Sequence, residues 1–114
     1  MIEVVATDVF ETWYLALDAG DTTAVTEAVE YLRRKGVALG YPRSSNIKGS
    51  RLALRELRIQ SHGRPLRVFY AFDPLRQAVL LLGADKTGQK RFYREKIREA
   101  EALFVAYLAA QKMS

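Results

Sequence analysis

Three cations and a phenol along the second half of the chain have the types to act on a phosphate: Arg67, Lys86, Arg91 and Tyr93. Fixed cations stabilise charge that develops on the oxygens of a phosphoryl group. RNA is cut without a metal when its 2′-hydroxyl attacks the neighbouring phosphate. One proton must then leave the nucleophile and another must reach the leaving oxygen. His62 is the single histidine, so no imidazole pair is available for those transfers. They would fall to Tyr93, Lys86, Asp85 or an arginine, and such a site depends on imposed substrate geometry.

The elements around these residues must bring them together. Arg67 alternates against Leu66, Val68 and Tyr70, and Arg58 alternates against Leu57 and Ile59. Two strands joined by the Ser61–Arg64 turn would set the two guanidiniums side by side. Like charges crowded on a sheet are destabilising unless an anion joins them. Lys86 leaves the next strand, while Lys90 and Arg91 open the last helix, where the dipole favours anions over cations. Arg51, Arg55 and Arg64 add further candidates for gripping a nucleic-acid backbone. The plain alternative is a row of solvated charges on an exposed sheet face. Tyr93 also fits the buried stripe of the last helix.

Other chemistries find little support. His62 lies in a turn, and no GxSxG elbow accompanies it. Gly83–Gly88 (GADKTG) lacks the GxxxxGK[ST] spacing of a phosphate loop. The chain has no cysteine and one histidine, too few soft ligands for a zinc site. No cofactor is expected.

The 114 residues carry a net charge of +5, but the distribution is more informative than the total. The first 30 residues hold seven acids and no Lys or Arg. The remainder holds all 18 basic side chains and only six acids, a local excess of 12. That asymmetry points to a basic surface for a polyanion, with the acidic segment folded elsewhere. With 49% hydrophobic residues and 27% charged, a single globular domain over residues 1–114 is expected. The acidic start has no signal-peptide pattern, and the longest apolar run falls well short of the ~20 residues of a membrane span. A cytoplasmic protein with no membrane association is expected.

Ile2–Ala6 reads as a short strand. Asp8 with Glu11 reads as a helix start, Phe10, Trp13, Tyr14 and Leu17 as its apolar stripe, and Gly20 as its end. Asp21 opens a second helix that closes at Arg33-Arg34-Lys35-Gly36, with cations and glycine where a C-terminus favours them. Gly36–Gly49 reads as the main loop. In Arg51–Ile59 the apolar phase slips between Leu54 and Leu57, so the regular strand is expected from about Leu54, with a bulge or late start. Leu66–Phe72 and Ala78–Leu82 are the following strands, Gly83–Gln89 a polar turn, and 89–110 a long helix. The fold class is α+β: a strand, a helical hairpin, a three-stranded antiparallel meander and a C-terminal helix.

The segments Leu54–Arg58 (LRELR), Gly63–Phe72 (GRPLRVFYAF) and Ala78–Lys86 (AVLLLGADK), followed by a terminal helix, resemble the RelE/ParE superfamily. Within it, they are most similar to the HigB-like branch of bacterial type II toxin–antitoxin toxins. The resemblance covers about residues 50–110 well and the rest by element order. It implies a RelE-like domain that enters the ribosome and cleaves mRNA as a metal-independent endoribonuclease. It also implies a cognate antitoxin, a small helix-turn-helix protein through which alone the toxin meets operator DNA. On this resemblance Arg67, Lys86 and Tyr93 carry activity, with Arg91 beside them. Glu56 stands where RelE-like members place a cation; HigB-like relatives often have this Glu. Two other functions stay open: a toxin of this fold without nuclease chemistry, such as a gyrase inhibitor or a degenerate toxin, and a plain nucleic-acid-binding protein.

Overall fold

The computed structural model describes residues 1–113; Ser114 lies outside the described residues. In chain order the elements are β1 (Val4–Ala6), α1 (Asp8–Leu15), α2 (Ala19–Lys35), β2 (Ser44–Asn46), β3 (Arg55–Ser61), β4 (Arg64–Phe72), β5 (Ala78–Asp85) and α3 (Phe92–Lys112). The strands form one sheet in the order β1-β5-β4-β3-β2. β1 runs parallel to β5, and the other neighbours are antiparallel. The α+β class, the helical pair, the antiparallel meander and the terminal helix are all as expected.

Both faces of the sheet are covered, and this resolves the slipped pattern in the Arg51–Ile59 stretch. Leu57, Ile59, Leu66, Val68 and Tyr70 pack under α1 and α2 with Phe10, Val25 and Leu32. Leu54, Phe69, Ala71, Val79 and Leu81 pack under α3 with Phe92, Ala100 and Phe104. Leu54 and Leu57 therefore serve opposite cores, and β3 needs no bulge. The irregularity falls instead between β4 and β5, where Phe69 pairs with Leu82 and Tyr70 with Leu80. Leu81 is the extra residue, so Leu81 and Leu82 both join the α3-side core.

Several boundaries differ from the sequence reading for identifiable reasons. Thr7, not Asp8, caps α1: its hydroxyl oxygen accepts from Phe10 N at 3.1 Å while the hydroxyl donates to Leu81 O at 2.7 Å. Such a cap contributes about 1 kcal/mol. Asp18 caps α2 by accepting from Asp21 N at 2.8 Å, so Gly20 lies inside the first turn of α2 rather than ending α1. The expected Gly36–Gly49 loop contains a short 3₁₀ turn and β2. β2 has no apolar alternation to reveal it. It pairs with β3, and Ser44 Oγ shares a 2.5 Å hydrogen bond with the buried Tyr70 hydroxyl. The two-residue connection His62-Gly63 between β3 and β4 has positive φ at both positions, which suits the twist of a tight hairpin.

Gly83 was expected to begin a turn, yet it lies within β5. A Cβ at this position would fall 2.2 Å from Trp13 Cε3, so the strand lets the indole pack against its backbone. α3 begins at Phe92, after a turn, with Arg91 as an N-cap that makes no side-chain capping bond. Among the described residues no helix is long and apolar enough to cross a membrane.

Candidate functional site

The β3–β4 register places Arg58 directly across from Arg67. Strand alternation puts Glu56 on the same face, toward α3. That face is covered rather than open, and it buries the two groups at its centre: Glu56 is 4% exposed and Arg67 5%. An unpaired carboxylate there would cost several kcal/mol, so its partners decide whether the arrangement holds. Glu56 Oε1 accepts from the Tyr93 hydroxyl at 2.7 Å and lies 3.5 Å from Arg67 Nε. Glu56 Oε2 accepts from Ser45 Oγ at 3.0 Å and lies 3.6 Å from Arg58 Nη1. The guanidiniums that repel each other across the strands are thus bridged by one carboxylate, which offsets only one of their two charges.

Arg67 is not fully satisfied by this arrangement. Its Nη1 donates to Leu66 O at 3.0 Å, but Nε, although buried and within ion-pair range of Glu56, has no hydrogen-bond partner. Tyr93 is held in the opposite sense. Burial, and then the hydrogen bond to Glu56, push its phenol above the ordinary range. At neutral pH the phenol is a donor, suited to orienting Glu56 and unsuited to removing a proton itself.

Lys86 follows β5, and its backbone N donates to Pro65 O at 2.9 Å, which ties it to the start of β4. Its Nζ sits 5.0 Å from the centroid of the Tyr93 ring. Glu56, Arg58, Lys86 and Tyr93, with Tyr41 and Lys48 from the β2 region, line a cleft of about 660 Å³. A second groove of about 360 Å³ adjoins it, lined by Tyr41, Arg43, Arg58, Gln60 and Arg67. Tyr41 and Arg58 belong to both.

The structure brings Arg58, Arg67, Lys86 and Tyr93 together and leaves the other candidates apart. Arg55 lies on the opposite face of β3, where it donates to Ser44, Tyr70, Asn46 and Leu39 O. Its guanidinium is consumed in fastening β2 and the preceding loop. Arg64 also lies on that opposite face, bonded to Asp21 of α2 and to Asp85 at 3.0 Å. Asp85 is thereby removed from the cleft, and Thr87 N also donates to it at 2.8 Å. Arg51 sits beside Glu101 of α3, with its backbone N donating to that carboxylate at 3.2 Å. Lys90 and Arg91 are exposed and line neither cleft. Asp18, Asp21 and His62 each place one ligand atom within 4.8 Å of the others. However, Ser61 and Arg64 already engage the two oxygens of Asp21, which leaves a cation poor access.

Glu56 was visible in the sequence only as an anomaly among cations. Ser45, Tyr41 and Lys48 were hidden in a segment that reads as loop, because their approach depends on β2 joining the sheet edge. A polar strand of three residues leaves no periodic signal; the Gly40-Tyr41-Pro42 turn, an aromatic among breakers, was the nearest clue.

A family model described as "Phage derived protein Gp49-like (DUF891)" matches residues 12–105. The chain belongs to the Gp49-like family. The matched span contains every residue of both clefts. Two curated relatives come from Mycobacterium tuberculosis (strain ATCC 25618 / H37Rv). One, named "Putative toxin HigB2", is 40% identical over 100 residues, covering 85% of this chain and 50% of the relative. The other, named "Putative toxin HigB3", is 38% identical over 103 residues, covering 89% of each. This Gp49-like chain therefore spans about half the length of the first relative and nearly all of the second.

Proposed function

We propose that this Gp49-like protein is the toxin of a type II toxin–antitoxin pair and inhibits translation by cutting mRNA on the ribosome. The observation that carries the reading is the buried Glu56, held between Arg67 and Tyr93 at the floor of a cleft rimmed by Arg58, Lys48 and Lys86. The names of the two relatives support the toxin assignment, and the RelE/ParE resemblance supports the ribosome as the place of action. The partner is a cognate antitoxin of helix-turn-helix type.

Glu56 is the group placed to take the 2′-hydroxyl proton. The 2′-oxygen then bonds to phosphorus while Arg67 and Arg58 meet the charge on the phosphoryl oxygens. The bond to the 5′-oxygen breaks, and Lys86 supplies that oxygen with a proton. The products are a 2′,3′-cyclic phosphate and a 5′-hydroxyl. Tyr93 holds Glu56 in position. The four cations around the lone carboxylate would repel a divalent metal, which favours the metal-independent route.

The test uses purified protein with mRNA-programmed ribosomes, comparing wild type, Glu56→Gln and Arg67→Ala. Wild type is expected to yield cyclic-phosphate ends, and each variant to lose about 10²–10⁴-fold in rate. Growth arrest on induction with no new mRNA ends in either wild type or variants would overturn the nuclease reading. Inhibition of purified gyrase with intact mRNA would replace it by the gyrase-directed one.

A further inference from the structure

Tyr41 is the exposed exception among the twelve aromatic residues. Its side chain is 77% exposed, at a position where the neighbouring Gly40 and Pro42 already make the turn. It stands at the junction of the two clefts and lines both. The Arg58 guanidinium lies 5.5 Å from its ring centroid. The surrounding charges are one-sided: Arg43, Lys48, Arg58, Arg67 and Lys86 against the single carboxylate of Glu56. An exposed flat ring between two basic grooves suits a polyanion that also carries flat apolar faces. That description fits an unpaired nucleic-acid strand and does not fit a duplex, whose bases are already stacked.

We infer that Tyr41 is a stacking platform for one nucleobase of the RNA, with the adjacent phosphate on Arg58. The strand then runs from the Glu56 cleft past Tyr41 into the groove of Arg43 and Arg67. Arg43 is pre-placed there, its guanidinium 3.6 Å from the centroid of the Tyr31 ring on α2. The inference deepens the proposed function and rests on RNA as the substrate. It adds a positioning residue that the nuclease resemblance did not assign. Stacking tolerates any base, so Tyr41 contributes affinity and register with little sequence preference.

The experiment measures binding of a short, fluorescently labelled single-stranded RNA at low salt to wild type, Tyr41→Ala, Tyr41→Phe and Arg58→Ala. Tyr41→Ala is expected to weaken binding by about 5- to 150-fold, the range for removing a stacking aromatic. Tyr41→Phe should bind as wild type, because the ring and not the hydroxyl carries the contact. Tyr41→Ala should leave the slope of log affinity against log salt unchanged, whereas Arg58→Ala should reduce it by about 0.7, one phosphate contact. An RNA with one abasic position should lose affinity for wild type but not for Tyr41→Ala. Equal binding by wild type and Tyr41→Ala would overturn the assignment while leaving the nuclease reading to its own cleavage test. Absence of RNA binding by wild type overturns it as well.

Discussion

The Tyr93 hydroxyl donates to Glu56 Oε1 at 2.7 Å, across 37 residues of sequence, from the first turn of α3 to the start of β3. This bond joins the terminal helix to the sheet at the point where the charges converge. It also assigns roles: a phenol raised above its ordinary pKa by burial and by that carboxylate stays protonated and orients its acceptor.

Removing the phenol and removing the carboxylate should therefore differ in scale. Tyr93→Phe is expected to slow cleavage about 2- to 15-fold, the value of one lost orienting hydrogen bond. Glu56→Gln is expected to slow it about 10²–10⁴-fold. Single-turnover rates of the two variants on programmed ribosomes decide the matter. Equal losses would make Tyr93 the proton-transfer group.

The arginines of β3 should separate by face. Arg55→Ala is expected to cost about 1–3 kcal/mol of stability, since Ser44, Asn46 and Leu39 O lose a shared donor. RNA affinity should be unchanged. Arg58→Ala, by contrast, should weaken RNA binding. Urea unfolding alongside the binding assay checks both, and a loss of RNA affinity in Arg55→Ala would contradict the division by face.

Gly83→Ala should destabilise without touching the cleft. The added methyl would meet the Trp13 ring at 2.2 Å, and overpacking of this kind costs about 1–3 kcal/mol. Trp13 is the only tryptophan, so a shift in its emission spectrum should accompany the fall in melting temperature. Unchanged emission and stability would show that the indole moves aside freely.

Acid should loosen the end of α3. Burial pushes Asp73 up, but hydrogen bonds from Gln77, Gln111 and Tyr107 together outweigh it and hold the carboxyl below its ordinary value. A carboxyl depressed in the folded state stabilises above its unfolded pKa of about 3.9. That stabilisation is lost as pH falls through the lower folded value. The melting temperature of wild type should be flat near neutrality and fall progressively below about pH 4–5. Asp73→Asn should be less stable at neutral pH and show a shallower acid fall. Parallel curves for the two proteins would place the acid sensitivity elsewhere, with Asp21 and Asp85 as the next groups to replace.

How much of this was legible in the residues follows from the range of the forces involved. Helical spacing, the Arg33–Gly36 ending and the alternation of Leu66–Phe72 are local signals, and they prescribe the elements and the α+β class because each acts within a few residues. Alternation also anticipates Arg58 beside Arg67, since a two-residue hairpin leaves little freedom of register. Which face is open is not a local matter. Only when α3 packs against the sheet do Glu56 and Arg67 become buried and Tyr93 reach them, and only when β2 joins the edge do Ser45, Tyr41 and Lys48 line the cleft. Alternation alone puts Arg55 and Arg64 on the opposite face, but only packing supplies the acceptors that occupy them there: Ser44, Asn46 and Leu39 O for Arg55, and Asp21 of α2 for Arg64. A positive charge in the sequence names a candidate; the side of the sheet it occupies, and the acceptors waiting there, determine whether it can meet a substrate.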